Sequence, residues 1–214
     1  MTSEREKRLA AEAAAALVKD GMRVGLGTGT TVSYLLPALA VRNLAIRCVA
    51  TSERTASAAA GLGLAVEPFS ALDELDIAID GADQIAPDGW LVKGGGGAHT
   101  REKIVAAAAD RFVVIADSSK LVPALHPPIP LELQEYGLLA TLRHLGEVTL
   151  RDAPPSPDGG VIADYHAPFA DPAQLAARLS ATPGVIAHGL FSPDLVSVVL
   201  IARGSAVEKQ ILRP

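Results

Sequence analysis

The chain has 214 residues, of which 49% are hydrophobic, and it carries 19 basic and 24 acidic side chains for a net charge of −5. This length accommodates one large domain, or one domain with a smaller insert, and the hydrophobic content excludes general disorder. The acidic balance argues against nucleic acid or an anionic membrane as a partner, although local donors can still bind a small anionic ligand. We therefore expect a globular protein that binds neither nucleic acid nor membrane.

The cysteine content and the N-terminal sequence indicate the cellular compartment in which the protein is expected. The only cysteine, Cys48, excludes an intramolecular disulfide and favours a reducing cytoplasm. The alanine-rich N-terminal stretch is broken by Glu12, and it is too short and too charged for an export signal or a membrane span. It predicts an amphipathic helix instead. Ser3 and Glu6 have the spacing of a capping box, and Gly21 fits just past the helix.

Strand-like and helix-like segments then alternate as far as residue 117. Strands are predicted at MRVGLG (22–27), AIRCVA (45–50), LAVEP (64–68), LDIAID (75–80) and RFVVIAD (111–117). Helices are predicted at 30–40, 51–63 and 100–110, and Pro37 is expected to kink the first of them. Strands that alternate with helices of about a dozen residues predict a doubly wound, mostly parallel α/β sheet.

The pattern changes at the proline-rich segment HPPIPLEL (126–133). A strand, a helix, two strands, a helix and a strand follow, at 129–133, 136–146, 147–152, 161–166, 171–184 and 185–191. This order predicts a compact β-α-β-β-α-β module of the α+β class set into the first domain. The last strand, VSVVLIA (196–202), and EKQIL (208–212) are expected to return to the larger sheet.

Unusual polar residues follow several predicted strands, where ligands bind in open parallel sheets. GLGTGTT (25–31) is not a dinucleotide fingerprint, because Thr30 breaks G-x-G-x-x-G, and it is not a P-loop. It can nevertheless hold a phosphate with N–H groups and hydroxyls, or it can be a tight turn with threonine caps. DGADQ (80–84) offers either an Asx turn or two carboxylates, Asp80 and Asp83, that grip sugar hydroxyls.

The segment KGGGGAHTREK (93–103) contains four consecutive glycines, which cost backbone entropy and contribute no side-chain packing. We expect a loop that lets a small phosphorylated sugar lie against bare backbone. Lys93 is expected to emerge at the edge of the sheet, and Glu102 falls in a first helical turn, where the helix dipole favours a carboxylate. In isolation Glu102 also fits a capping or solvated residue, and Lys120 in ADSSK also fits a surface lysine.

The sequence offers no metal or hydrolase signature. The five histidines show neither H-x-H nor H-E-x-x-H spacing, and with one cysteine they predict no metal site. A G-x-S-x-G nucleophile elbow is absent. We therefore expect a protein that uses neither metal nor cofactor.

GLGTGTT, DGADQI, KGGGGAHTREKI and ADSSK, in this order and spacing, resemble the motifs of ribose-5-phosphate isomerase type A, and PGVIAHGLF (183–191) extends the resemblance. The resemblance implies a Rossmann-like catalytic domain, 1–126 plus 198–214, and a ferredoxin-like insert, 127–197, that serves as a lid and in oligomerisation. It implies cofactor-free interconversion of D-ribose 5-phosphate and D-ribulose 5-phosphate in the non-oxidative pentose phosphate pathway. It also implies a homodimer or a dimer of dimers.

The resemblance further implies roles for individual residues. The general base falls on Glu102, with Asp80, Asp83 and Lys93 as the other catalytic residues. Negative charge would be stabilised by Lys93 and glycine N–H groups, and the phosphate would lie on the threonine turn with Lys120 or Lys7 as counter-charge. The substrate-binding residues would be Thr28, Gly29, Thr30, Thr31, Asp80, Gly81, Ala82, Asp83, Lys93, Gly94, Gly95, Gly96 and Lys120.

Three positions depart from the family pattern. Gln84 replaces a common glutamate, His99 replaces an apolar residue, and the loop PSPDGG lacks an Asn-rich turn. We interpret His99 as a packing or rim variation. Two rival functions stay open: a related sugar-phosphate enzyme or acyl-CoA transferase of similar fold, and a non-catalytic sugar-phosphate sensor. A sensor would be expected to lose the base or to carry a DNA-binding extension.

Overall fold

The computed structural model describes residues 2–213, which form two compact units. The first unit contains the described residues up to Ala82, Arg101–Lys120, and those from Pro193 onward. The second unit contains Asp83–Thr100 and Leu121–Ser192. The expected domains divide after residues 126 and 197 instead, and their terminal residues Met1 and Pro214 lie outside the described part. The expected boundaries stay a prediction, because compactness alone does not define a domain.

The first unit is built on a seven-stranded sheet. Its strands are β1 (Arg23–Leu26), β2 (Arg47–Ala50), β3 (Ala65–Val66), β4 (Ile77–Gly81), β7 (Phe112–Asp117), β13 (Val198–Arg203) and β14 (Ala206–Ile211). They lie in the order β14-β13-β7-β4-β1-β2-β3, and all neighbours pair in parallel except β13 and β14, which are antiparallel. The helices are α1 (Thr2–Ala15), α2 (Thr30–Ala40) and α3 (Glu53–Gly61), and α4 (His99–Ala107) belongs to this unit from Arg101 onward. This mostly parallel α/β sheet confirms the predicted fold class.

The core of this unit explains why the strands form where they do. All six residues of β7 are buried, as are the first four of β4, which is typical of strands covered on both faces. Small side chains on α1, among them Ala10, Ala11 and Ala14, are fully buried in the same core and permit close packing. Helix α2 continues through Pro37, whose carbonyl accepts a hydrogen bond from the N–H of Val41.

The predicted capping box at the start of α1 is wrong. The helix begins at Thr2, and the Glu6 carboxylate accepts hydrogen bonds from Ser118 and Gly204, far away in the sequence. The helix ends at Ala15, before the expected end near Gly21. Spacing alone does not reveal these partners, because a carboxylate satisfied by distant backbone N–H groups leaves no local signature.

The second unit contains the predicted β-α-β-β-α-β module. Its elements are β8 (Ile129–Leu133), α5 (Leu138–Leu145), β9 (Val148–Leu150), β10 (Val161–Tyr165), α6 (Pro172–Ser180) and β11 (Val185–His188). The four strands form an antiparallel sheet in the order β11-β8-β10-β9, as expected of a ferredoxin-like arrangement. Helix α6 begins at Pro172, after Asp171 caps the N–H groups of Ala173 and Gln174.

A small three-stranded sheet in the second unit was not predicted. It contains β5 (Gln84–Ile85), β6 (Leu91–Val92) and β12 (Leu190–Phe191) in the order β12-β6-β5. The predicted strand VIAHGLF therefore divides near Gly189 into β11 and β12. A Cβ atom at Gly189 would lie 2.2 Å from the carbonyl oxygen of Lys93, so only glycine permits this close approach. Pairing of β12 with β6 explains why residues 83–100 cluster with the second unit.

The longest helix among residues 2–213 is α1, with 14 residues. No helix in this part of the chain combines the length and apolar character needed to cross a membrane.

Candidate active site

The glycine–threonine turn links β1 to α2 in the first unit. Thr28 Oγ1 lies 2.8 Å from Thr51 Oγ1 and 2.9 Å from Ser52 Oγ, which fixes its side chain. Gly29 has a φ of 128°, a conformation that strongly favours glycine. The turn therefore leads into the N-terminus of α2, where Thr30 is exposed and Thr31 is buried. Hydroxyls beside free helix N–H groups suit an anion.

Asp80 lies at the carboxyl end of β4 and is 3% exposed. Its Oδ1 atom accepts hydrogen bonds from the N–H of Thr28 at 3.1 Å and of Gly81 at 2.7 Å. A Cβ atom at Gly27 would lie only 1.9 Å from Asp80 Cγ. The structure thus brings Asp80 together with the threonine turn, and the bond to Thr28 goes beyond the local Asx turn.

Glu102 lies in the first turn of α4 and is 3% exposed. The reading of Glu102 as a solvated surface residue is therefore wrong. The next residue, Lys103, is half-buried, and desolvation lowers its pKa to about 8. A carboxylate in a first helical turn is stabilised by the helix dipole.

Lys120 ends a short 3₁₀ turn, Ser118–Lys120, and is partly buried. Glu6 Oε2 accepts hydrogen bonds from Ser118 N at 3.0 Å and from Ser118 Oγ at 2.8 Å, and Glu6 Oε1 accepts one from Gly204 N at 2.7 Å. These bonds, led by the one from Gly204, hold the pKa of Glu6 below its ordinary value. Glu6 therefore supports the turn that carries Lys120, a role that the sequence analysis missed.

Lys7 is paired with Glu4, with 2.8 Å between Nζ and Oε1. The hydrogen bond to Glu4 raises the pKa of Lys7, and the hydroxyl of Tyr34 donates to the other oxygen of the same carboxylate. Part of the charge of Lys7 is thus already balanced. Lys120 is the other candidate counter-charge, and it forms no ion pair with another residue among residues 2–213.

Lys93 belongs to the second unit and is 2% exposed. It follows β6 of the small sheet, its N–H donates to the carbonyl of Gly189 at 2.8 Å, and its Nζ lies 5.4 Å from the ring centroid of Phe191. The expectation that Lys93 emerges at the edge of the large sheet is wrong, because β6 is antiparallel and belongs to a different sheet.

The glycine loop, Gly94–Gly97, has a defined conformation. Gly94 and Gly97 have φ values of 103° and 72°, and the N–H of Gly97 donates to the carbonyl of Gly94. A Cβ atom on Gly94 would lie 2.7 Å from Nδ1 of His99. His99 is completely buried, as a packing role requires. The N–H of Gly95 donates to Oδ2 of Asp83 at 2.8 Å, so the structure brings Asp83 to this loop.

Gln84 is buried and pairs with the backbone of His126. Its Nε2 donates to the carbonyl of His126 at 2.8 Å, and its Oε1 accepts from the N–H of His126 at 2.9 Å. An amide satisfies both partners, whereas an ionised glutamate has no donor. The departure at position 84 therefore has a structural explanation.

The predicted site residues divide between the units along the chain. Thr28–Thr31, Asp80–Ala82, Glu102 and Lys120 belong to the first unit, and Asp83 and Lys93–Gly96 belong to the second. The chain crosses between the units at 82/83, 100/101, 120/121 and 192/193, and the first three of these crossings lie next to predicted site residues. Within residues 2–213, no three His, Cys, Asp or Glu side chains are grouped to hold a metal ion. The expected independence from metals stays a prediction.

Comparison with known proteins gives concordant results. The family model described as ribose 5-phosphate isomerase A (phosphoriboisomerase A) matches residues 47–206. The chain is 41% identical over 226 residues to ribose-5-phosphate isomerase A of Caulobacter sp. (strain K31), and the match covers 99% of this chain and 100% of that protein.

Two solved structures are similar over nearly their whole length. Ribose 5-phosphate isomerase A from Neisseria gonorrhoeae has a TM-score of 0.93 at 32% identity, covering 98% of this chain and 97% of that one. A D-ribose-5-phosphate isomerase in complex with phospho-erythronic acid has a TM-score of 0.92 at 31% identity, covering 99% of this chain and 100% of that one.

Proposed function

Since the chain belongs to the ribose 5-phosphate isomerase A family, we propose that it interconverts D-ribose 5-phosphate and D-ribulose 5-phosphate. The observation that carries this proposal is the full-length match to that family in a chain that keeps a buried carboxylate, Glu102, at the start of α4. The reaction serves the non-oxidative pentose phosphate pathway.

The chemistry needs one group that moves a proton between C1 and C2 of the open-chain sugar. Glu102 is this base: it takes the proton from C2 of the aldose and returns it to C1 through a cis-enediol intermediate. A lone carboxylate suits the task, because it can accept the proton as a base and return it as an acid. A single base on one face of the sugar is sufficient for both steps.

As the proton leaves C2 of the aldose, negative charge develops on the carbonyl oxygen at C1. Lys93 and N–H groups of the glycine loop stabilise this charge, because fixed donors aimed at a developing oxyanion lower the barrier. Asp80 and Asp83 hold sugar hydroxyls and assist ring opening. Two features support this assignment: Asp80 is buried and bonded to the threonine turn, and Asp83 is bonded to the glycine loop.

The phosphate does not react, and its binding positions the sugar. We assign it to Thr28–Thr31 at the start of α2, with Lys120 as the main counter-charge. The pairing of Lys7 with Glu4 supports Lys120 over Lys7 in this role. Gly29, Gly81, Ala82 and Gly94–Gly96 contribute backbone contacts.

The remaining assignments are part of the same proposal, and the resemblance to the family supports them. We propose a homodimer or a dimer of dimers located in the cytoplasm, with no metal or other cofactor. Residues 127–197 are proposed as the insert that acts as a lid and in oligomerisation, and 1–126 plus 198–214 as the catalytic domain. Light scattering of the purified protein tests the assembly, and a monomer would contradict it.

A direct assay tests the activity. Purified protein treated with EDTA is incubated with ribose 5-phosphate, and ketose formation is followed by NMR without a coupling enzyme. We expect conversion to an equilibrium mixture of the two sugar phosphates, and little reaction with free ribose. Failure to convert ribose 5-phosphate, with or without added divalent ions, would contradict the proposed function. Activity only after a divalent ion is restored would contradict the proposed independence from metals.

A further inference from the structure

Arg151 and Asp164 form a bidentate ion pair in the second unit. Arg151 directly follows β9, and Asp164 lies in β10. The guanidinium Nε lies 2.7 Å from Asp164 Oδ2, and Nη2 lies 2.6 Å from Oδ1. Both side chains are largely buried, at 20% and 17% exposed. Two parallel bonds fix the plane of the guanidinium, so its third nitrogen points in a defined direction.

That third nitrogen binds the glycine loop. Arg151 Nη1 donates to the carbonyl oxygen of Gly94 at 2.9 Å and to that of Gly95 at 3.2 Å. Glycine carries no side chain that would otherwise restrict the orientation of these two peptide groups. The ion pair with Asp164 therefore holds in place the group that orients the loop.

The first of the two peptide groups is held from both sides. A peptide unit is planar and trans, so the carbonyl of Gly94 and the N–H of Gly95 point in opposite directions. Arg151 binds the carbonyl, and Asp83 Oδ2 accepts from the N–H at 2.8 Å. The position of Asp83, a predicted catalytic residue, is thus linked to Arg151 through one rigid peptide.

The second peptide group is held from one side only. Arg151 binds the carbonyl of Gly95, so the N–H of Gly96 in the same plane points away from the guanidinium. Gly96 is exposed, and its N–H donates to no other residue among residues 2–213. A donor with a fixed direction and an open end is suited to an anionic oxygen of a ligand.

We infer that Arg151 is a positioning residue for the isomerisation: it fixes the Gly94–Gly95 and Gly95–Gly96 peptides so that the Gly96 N–H is aimed at the oxygen on which negative charge develops. This inference rests on the proposed function. Arg151 itself does not touch the substrate. Its effect passes through the glycine loop, and Asp164 is required because it keeps the guanidinium in plane.

Arginine is specifically necessary at position 151. A lysine ammonium keeps the positive charge, but it cannot bind the two oxygens of Asp164 and the two glycine carbonyls with one fixed plane. Asp164→Asn keeps Arg151 and most of the shape, and it removes the charge and one of the two acceptors. Arg151→Met, Arg151→Lys and Asp164→Asn therefore test the same arrangement from different sides.

The chain offers a matched control pair in the first unit. Arg47 binds Glu67 with the same fork, at 2.6 and 2.8 Å, and among residues 2–213 its side chain forms no hydrogen bond or ion pair with the glycine loop or a predicted site residue. Arg47→Met removes a bidentate pair of the same kind without affecting the loop. Thermal unfolding of all variants separates a general loss of stability from an effect on the site.

The test measures kcat and KM for ribose 5-phosphate together with hydrogen exchange of the amides in residues 93–98. In Arg151→Met and Arg151→Lys we expect faster exchange in this segment. We also expect kcat to fall by roughly tenfold to a hundredfold, since misplacement by about 1 Å has effects of this size. KM should change much less, because the phosphate is assigned to the first unit. Asp164→Asn should show the same pattern more weakly, and Arg47→Met should show none of it.

Unchanged kcat in folded Arg151→Met and Asp164→Asn would overturn the inference, and so would unchanged exchange of the loop amides. An equal loss of activity in Arg47→Met would also overturn it, because the effect would then be one of stability. Failure of the proposed function gives a different result: the wild-type protein would not convert ribose 5-phosphate, although exchange of the loop would still respond to Arg151.

Discussion

The Asp80 carboxylate fills the space that a side chain at Gly27 would need. An ideal Cβ at Gly27 would lie 1.9 Å from Asp80 Cγ and 2.0 Å from Oδ1. Since the same oxygen accepts the N–H of Thr28, the glycine turn and the carboxylate fix each other's position. A glycine in a strand-to-helix turn is thus required for side-chain packing at the proposed site.

Gly27→Ala should therefore damage the site more than the fold. The added methyl group must displace Asp80, and we expect a loss of about 1–3 kcal/mol in unfolding free energy, typical of overpacking, together with a severe loss of kcat/KM. Denaturant unfolding and steady-state kinetics measure the two effects. Gly61→Ala is the control, because nothing lies within 4 Å of a Cβ there and its φ is not positive. Full activity in Gly27→Ala would show that Asp80 need not stay where it is.

Gln84→Glu tests whether pairing of the side-chain amide with the backbone of His126 requires glutamine at position 84. An ionised glutamate cannot donate to the carbonyl of His126, so a buried acceptor faces another acceptor. We expect a destabilisation of about 1–3 kcal/mol at neutral pH, the usual penalty for an unsatisfied buried group. The penalty should shrink as the pH falls, because a protonated carboxyl can donate again.

Gln134→Glu, at an exposed glutamine of the same unit, is the comparison and should have little effect. A Gln84→Glu protein as stable as the wild type at neutral pH would rule out the amide pairing as the reason for glutamine.

The sequence predicts the centre of the large sheet well because strands such as β4 and β7 are continuous apolar runs that lie between helical patterns. The same pattern shows where each strand ends. The sequence therefore predicts that Asp80 and the threonine turn lie at strand ends. The small sheet was missed, since strands of two residues such as Gln84–Ile85 and Leu91–Val92 have no periodicity. The burial of Lys93 depends on that sheet and was missed with it.

Hydrogen-bond partners that lie far apart in the sequence could not be predicted either. Glu6 and Ser118 are 112 residues apart, and Arg151 and Gly94 are 57 apart, so no local spacing connects them. Glu6 even suggested a capping box that does not form. Side chains that support a site through the backbone of another segment become visible only when the fold is known.

Glu6→Gln should affect both stability at low pH and phosphate binding. The folded-state pKa of Glu6 lies below its ordinary value of 4.5, because Gly204 and Ser118 donate to the ionised form. Its contribution to stability is thus fully present above the unfolded-state pKa and is lost as the pH falls through the folded-state pKa. The stability difference between wild type and Glu6→Gln should therefore be constant near neutral pH and shrink below about pH 4.5.

The same variant should raise KM for ribose 5-phosphate and leave kcat nearly unchanged, because the part of the proposed site that Glu6 supports is the turn that carries Lys120. Thermal unfolding across pH and steady-state kinetics provide both readouts. A stability difference that grows as the solution is acidified would contradict the assigned bonds.

The phosphate assignment predicts a separation of KM from kcat. Thr31→Ala removes a hydroxyl from the start of α2, and we expect KM to rise by about tenfold, the value of one hydrogen bond to a charged group, with little change in kcat. Ser57→Ala, at an exposed serine on α3, should change neither constant. Comparable kcat/KM values for free ribose and ribose 5-phosphate in the wild type would refute the phosphate site.

Glu102→Gln shows whether Glu102 transfers the proton. The substitution keeps the shape of the side chain but removes its basicity, so the fold and ligand binding should persist. The decisive measurement is kcat for Glu102→Gln beside Asp80→Asn and Asp83→Asn under identical conditions. We predict a fall in kcat of roughly 10²–10⁴-fold or more for Glu102→Gln, the contribution of a positioned general base. Near-normal turnover in Glu102→Gln, with either aspartate variant inactive, would contradict the account and move the proton transfer to that aspartate.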